Sequence, residues 1–380
     1  MIKKISMAEP YFSKEDRELI HRELDLILSG PLSMGPNVKS FENEFAARIG
    51  SEYAIAMNSC TSTLEAALLA KGAVGREVIV PAETFIATAM AVHMVGAVPV
   101  FAEISEDTFC LDLEDVKRRI TPRTAGIVLV HFAGRITDNV KEFREFCDMN
   151  NLFLIEDAAH APGAQIDGRE AGTFGHIGCF SFYPTKVITS GEGGMLTTDD
   201  EAVASFARSY QNRGKDMSIE QEQYISVGRN VRMTEMSALI GRVQLSHLDE
   251  FLEKRRLISS VYSDMLSEHS MLKLILPQKT DSSSYWKIPL LLDPRLDRLK
   301  IVSAMKVAGI SVDMTYQPAI HLQPVFRNLF GTAPGLLPTT EKILSRHLCL
   351  PCHPRMTRAD ANFVSMTLLG IINDSSESLK

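Results

Sequence analysis

The sequence is short of the features that mark several large protein classes. Six cysteines in 380 residues are too sparse for a disulfide scaffold, which concentrates cysteine in small secreted chains. There is no excess of positive charge: 40 Lys plus Arg face 47 Asp plus Glu, a formal net charge of −7. That balance argues against a protein built to hold nucleic acid, which needs a clustered Lys/Arg surface. It leaves anionic small ligands open, because a few placed N–H groups and one cation hold a phosphate. Long apolar runs are missing too. The charge-free stretch over 84–102 has 19 residues, enough to test as a membrane span. His93 and Pro99 interrupt it, and Gly96-Ala97-Val98-Pro99 reads as a helix stop followed by a strand. Lys3 and Lys4 have no apolar segment behind them, so no signal peptide is read there. Repeats and low-complexity tracts are absent. We therefore expect a cytoplasmic chain with neither membrane nor nucleic-acid partner.

What is present is ordinary for a globular protein: 45% apolar and 23% charged residues, in a length that suggests about two domains. Short apolar, β-branched-rich runs at 54–57, 77–81, 98–102, 126–131 and 152–157 read as buried strands. Helical patterns at 61–73, 84–95 and 137–149 lie between them. Such alternation predicts an α/β domain with a mostly parallel sheet covered on both faces. Ligands then collect at the carboxyl ends of the strands. A further helix is predicted over 13–29, within an N-terminal arm at 1–35, and one long helical pattern spans 234–266. After about residue 270, strands at 272–276, 286–292 and 310–315 and a helix at 299–307 predict a smaller α+β domain. We place the domains at 1–250 and 251–380 and expect the polar tail 373–380 to fray.

Three local features carry chemistry. At Ile155-Glu156-Asp157-Ala158-Ala159-His160 an apolar strand ends in a carboxylate. Asp157 alone reads equally as a helix cap. At Phe180-Ser181-Phe182-Tyr183-Pro184-Thr185-Lys186 a strand runs into a loop with one lysine, and the glycine-dense turn Gly191-Glu192-Gly193-Gly194 follows. Hemmed in this way, the Lys186 ammonium is partly desolvated, which lowers its pKa and exposes its lone pair, as a Schiff-base lysine requires. At Asn58-Ser59-Cys60-Thr61 a strand meets a helix start, where hydroxyls and free N–H groups make an anion site or simply a cap. These three supply what a pyridoxal phosphate (PLP) site needs: a lysine for the aldehyde, an acid for the ring nitrogen and a phosphate cup.

With these motifs in hand, the chain resembles the DegT/DnrJ/EryC1/StrS family of PLP-dependent sugar aminotransferases. The similarity runs from about residue 29 to 354. It rests on Asn58-Ser59-Cys60-Thr61, Pro81-Ala82-Glu83-Thr84-Phe85-Ile86-Ala87-Thr88, Glu156-Asp157-Ala158-Ala159-His160, Ser181-Phe182-Tyr183-Pro184-Thr185-Lys186, Gly191-Glu192-Gly193-Gly194 and Gly228-Arg229-Asn230-Val231-Arg232-Met233, in the family's order. The resemblance implies the aspartate-aminotransferase type I fold: a large domain around a mostly parallel seven-stranded sheet, plus the small α+β domain. It implies that Lys186 binds the PLP aldehyde, Asp157 pairs with the ring nitrogen and His160 hydrogen-bonds near the phenolic oxygen. Phe85 would stack on the ring, while Thr61, the Cys60 backbone and the Ser181 hydroxyl would hold the phosphate. Asn230 would reach the phosphate of a neighbouring subunit, so a homodimer is implied. Arg229 and Arg232 are substrate candidates, suited to a diphosphate or a donor carboxylate or else to surface ion pairs, and His321 lies in a segment that resembles the family's near the substrate entrance. Cys60 stands where the family has glycine, and a positive φ there would strain it. The implied reaction is amination of a nucleotide-linked keto-deoxy sugar with glutamate as donor. A keto-cyclitol acceptor is an alternative, and a PLP-binding regulator without amino transfer is a reading of another class.

Two decoys remain. Cys349-Leu350-Pro351-Cys352-His353 matches a haem-attachment pattern and half a zinc site, but too few further ligands stand near, and no metal is expected. His131 ends a strand near the expected crevice and reads either as a site residue or as a core histidine.

Overall fold

The apolar runs form strands in the computed structural model, which describes residues 4–377. They are β1 (Tyr53–Met57), β2 (Glu77–Pro81), β3 (Val98–Ala102), β4 (Thr124–Val130) and β5 (Phe153–Asp157). A small hairpin follows, β6 (Gln165–Ile166) with β7 (Arg169–Glu170), then β8 (Ile177–Ser181) and β9 (Gly194–Thr198). Seven of these make one sheet in the order β1-β9-β8-β5-β4-β2-β3. β9 runs antiparallel to β1 and β8, and all other pairs are parallel.

Side chains alternate between the two faces of a strand, and both faces are buried here. Ile55, Val78, Val80, Val128, Ile155 and Leu196 pack on one side, against the helices Cys60–Ala70, Ile86–Met94 and Glu201–Gln211. Ala54, Ile79, Ile127, Leu129, Leu154 and Met195 pack on the other, against Pro36–Ile49 and Val140–Met149. Such two-sided burial suits a parallel sheet. The 84–102 stretch is the helix Ile86–Met94 followed by β3. Among the described residues no helix is long and apolar enough to cross a membrane.

The C-terminal part holds an antiparallel sheet of β10 (Leu272–Leu274), β11 (Ile288–Leu292) and β12 (His347–Leu350). It is covered by Leu248–Leu266, Arg298–Val307 and Arg358–Glu377. Several expectations need correction. The long helical pattern over 234–266 is two helices, Glu235–Ser246 and Leu248–Leu266, parted at His247. Its ring sits 2.9 Å from an Asp16 oxygen and 3.2 Å from one of Glu250. The 310–315 run is no strand. It makes only isolated bridges, Ile310 to Ile5 and Asp313 to Cys349 at the outer edge of β12. Residue 5 of the N-terminal arm thus joins the C-terminal core rather than the large sheet. The 250/251 boundary falls inside Leu248–Leu266, whose Phe251 and Leu252 pack with the large sheet while Ile258, Val261 and Tyr262 pack with the small one. Residues 373–377, expected to fray, continue the helix Arg358–Glu377, and 378–380 lie outside the described residues.

Candidate active site

The carboxyl ends of β4, β5 and β8 open into a cavity of about 620 Å³, within the range of small-molecule sites. Asp157, His160, Ser181, Lys186, Cys60, Thr61 and Phe85 all line it. They come from four segments well apart in sequence.

Asp157 is the last residue of β5. One of its oxygens accepts the Thr88 hydroxyl at 2.7 Å, and the other accepts the Ala159 N–H at 3.2 Å. Thr88 is itself 2.8 Å from the Thr84 hydroxyl. Burial pushes the Asp157 pKa up, against those donors and the nearby Lys186 and His131. Two fixed donors orient the carboxylate toward the cavity. The carboxylate is poised to hold a positive N–H.

Lys186 follows a turn closed by its own N–H on the Tyr183 carbonyl at 2.9 Å. Its Nζ lies 4.5 Å from the centroid of the Trp286 indole, a cation–π contact. Removal from bulk water brings its pKa down to about 8; Asp157 and Cys60 oppose the shift and Lys287 adds to it. At neutral pH about one molecule in ten then carries the free amine, against about one in several thousand for an ordinary lysine. Capture of added PLP by the apoprotein should therefore quicken about tenfold per pH unit up to pH 8 and then level off. Stopped-flow absorbance checks this, and a flat profile from pH 6 to 9 would contradict it.

His160 stacks on Trp286, with centroids 3.8 Å apart and planes 13° from parallel. Its Nε2 lies 3.0 Å from the Tyr316 hydroxyl. Burial, with Lys186, Lys287 and His131 nearby, holds its pKa well below the usual value, so the ring is neutral. Its buried Nδ1 has no partner.

The phosphate segment opens the helix Cys60–Ala70. Ser59 caps it, accepting the Ser62 N–H. The first N–H groups of a helix lack internal partners, so Cys60 and Thr61 offer donors to an anion. Cys60 is absent from the positive-φ residues, so cysteine carries no backbone strain where the family has glycine. The tight position is Gly194. A Cβ there would come within 2.4–2.5 Å of the Ser59 and Cys60 backbone, so glycine lets the segment lie against β9.

Other candidates lie elsewhere. Asn230 is exposed and outside this chain's cavity. Arg229 pairs with Glu65 at 3.4 Å, and Arg232 donates to Asn212 at 2.5 Å. His321 is fully buried, 3.0 Å from Glu341, and packs on Phe101 without lining the cavity. His131 is likewise buried, 2.7 Å from Glu156, which also accepts the Gly172 N–H at 2.8 Å. The thiols of Cys349 and Cys352 are buried, with Cys352 Sγ 3.6 Å from the Arg255 carbonyl. Among the described residues no group of three or more His, Cys, Asp or Glu could hold a metal. Sequence reasoning gave no role to Thr88, Trp286, Lys287 or Tyr316. Thr88 lies in a recognised motif; the other three come from the C-terminal part and carry no local signal.

The DegT/DnrJ/EryC1/StrS aminotransferase family matches residues 13–369. The chain belongs to that family. It is 34% identical to a GDP-perosamine synthase of Caulobacter vibrioides, over 96% of this chain and 97% of that protein. It is 35% identical to a dTDP-3-amino-3,4,6-trideoxy-alpha-D-glucose transaminase of Streptomyces venezuelae, over 90% of this chain and 88% of that one. Helicobacter pylori PseC, an aminotransferase involved in the biosynthesis of pseudoaminic acid, superimposes with a TM-score of 0.90. That match has 26% identity and covers 98% of this chain and 100% of that one. The fold is that of the PLP-dependent aminotransferases. This chain is a PLP-dependent aminotransferase, and its cavity fits the cofactor. A part-neutral lysine, an oriented carboxylate, an unpartnered His160 Nδ1 and a helix start pressed close by Gly194 match the four polar parts of PLP.

Proposed function

We propose that this aminotransferase aminates a nucleotide-linked keto-deoxy sugar, with glutamate as donor, as a homodimer. The observation that carries the chemistry is the convergence of Lys186 and the Thr88-braced Asp157 on one cavity. The sugar is supported by two relatives named above, a GDP-perosamine synthase and a dTDP-linked amino-sugar transaminase. A second copy is supported by exposed apolar side chains, Leu28 at the end of the helix Lys14–Leu28, Leu32 just after it, and Ile225 and Val227 shortly before Asn230. Apolar clusters of that kind mark protein contacts.

When bound, PLP supplies an aldehyde and an electron-accepting ring. Lys186 would hold the aldehyde, and as a part-neutral amine it is suited to take and return a proton at the substrate carbon. Asp157 would keep the ring nitrogen protonated, and the neutral His160 would offer a hydrogen bond to the phenolic oxygen. The N–H groups of Cys60 and Thr61 and the Ser181 hydroxyl bind phosphate. Phe85 caps the helix Ile86–Met94 and is 54% exposed, with its ring 5.5 Å from Tyr316. It thus forms a wall against which the ring can rest.

The test is a panel of nucleotide-linked keto sugars and keto-cyclitols with glutamate, read by product mass. A keto sugar gaining an amine, with one 2-oxoglutarate released per turnover, is the expected result. Conversion of a keto-cyclitol alone would overturn the sugar assignment. Bound PLP that glutamate leaves unchanged would overturn glutamate as the donor.

A further inference from the structure

Lys287, a second cation of the cavity, has no part in that chemistry. It stands just before β11 and lines the same cavity as Lys186. The residue is only 8% exposed. Its Nζ donates to Asp313 at 2.5 Å and to the Thr315 hydroxyl at 2.7 Å. It also lies 4.3 Å from the centroid of the Trp286 indole that Lys186 touches.

A buried ion pair is a poor way to stabilise a cavity wall, since apolar residues of similar volume do as well or better. The pair is also uneven. The Lys287 side chain is 9% exposed and that of Asp313 is 34% exposed. Asp313 also accepts the Thr315 hydroxyl, on a segment bridged to Cys349, and its carboxylate is the partner that faces water. The other acid beside the pair does not compete. Glu83 is fully buried, accepts the Tyr316 N–H at 2.9 Å, and burial pushes its carboxyl well above the usual range. One of its oxygens has no partner.

We propose that Lys287 is the seat of a substrate carboxylate, and that Asp313 occupies this seat until the incoming carboxylate displaces it. The exchange replaces one anion by another, so the ammonium loses no further hydration. Its place on the same indole puts the carboxylate beside the amine-transfer centre. Two sources have the right chemistry: a carboxylate of the amino-acid donor, or one borne by the keto sugar. The donor source rests on family membership, while the sugar source also rests on the function proposed above.

The experiment measures single-turnover half-reactions of the PLP-loaded enzyme by cofactor absorbance. The donor arm contains no sugar. It compares glutamate with glutamine, which lacks the side-chain carboxylate, and with γ-aminobutyrate, which lacks the α-carboxylate. The acceptor arm gives the aminated enzyme keto sugars with and without a carboxylate. In one arm, K287Q should shrink the preference for the carboxylate-bearing partner by about 10- to 100-fold, the range of a charge-assisted hydrogen bond. K287R should restore part of it. D313N should act in the opposite sense and lower the concentration needed for saturation, because the competing anion is gone. Preference ratios unchanged by K287Q in both arms, or K287Q and D313N weakening every substrate alike, would overturn the proposal and leave Lys287 as a brace for 310–315. Because the donor arm needs no sugar, its result stands even where every keto sugar fails.

Discussion

Lys186→Ala should lower turnover by about 10⁴-fold or more and leave the fold intact. The side chain is both the anchor for the aldehyde and the proton carrier, and no second lysine can take over. Lys287 is tied to Asp313 and Thr315. Lys186→Arg should fail equally, because a guanidinium stays protonated and cannot act as a base. The fold survives because the folded protein gains nothing from this charge. Its folded pKa of about 8 lies below the ordinary 10.5. Below pH 8 the ammonium is charged in both states and is held out of water only when folded, which is a cost. Between pH 8 and 10.5 the unfolded chain binds more protons than the folded one, so apoprotein stability rises through that window. Lys186→Ala should remove that rise. Activity assays with glutamate and thermal melts of both apoproteins at pH 7 and 10 check the two halves. Full transaminase activity in either variant would sink the assignment of Lys186.

The parts of the fold that are legible in the sequence are those with a strong local cause. Strands β2 and β3 fall at the expected residues because burial in the sheet demands continuous apolar runs, Val78–Pro81 after the buried Glu77 and Val98–Ala102. Asp157 and Lys186 stand out because one ends a buried strand and the other lies in the loop just after one. The helix Pro36–Ile49 carries a buried face of Val38, Phe41, Phe45 and Ile49, a period of three to four that was there to be read. Other features depend on partners distant in the chain. The break at His247 is tied to Asp16 across 231 residues. His321 sits in a family-like segment, yet Glu341 and Phe101 hold it in the core. Trp286 and Tyr316 reach the cavity through the packing of the C-terminal part on the sheet, and no spacing in the sequence encodes that. Motif positions show which residues are used, while their hydrogen-bond partners show how, as with Thr88 on Asp157.

Asp157→Asn should lower turnover by about 10²- to 10³-fold, the loss seen when a preorganised electrostatic partner is removed. Asparagine has nearly the same shape, so β5 and its pairing with β4 and β8 should persist. What changes is charge. The carboxylate accepts two donors, Thr88 and the Ala159 N–H, and those donors help keep it ionised against the upward push of burial. An ionised, oriented acid keeps the ring nitrogen protonated, and the amide cannot. Thr88→Val should give a smaller loss, about tenfold, since it removes one orienting donor and leaves the charge. The defect of Thr88→Val should deepen at acid pH before that of the wild type does, because the lost donor was one of the groups holding the Asp157 pKa down. Rates of the glutamate half-reaction from pH 5 to 8 in the three proteins check the order. Equal rates for Asp157→Asn and the wild type would show that the ring nitrogen needs no anion, and that the Thr84–Thr88–Asp157 chain only packs the end of β5.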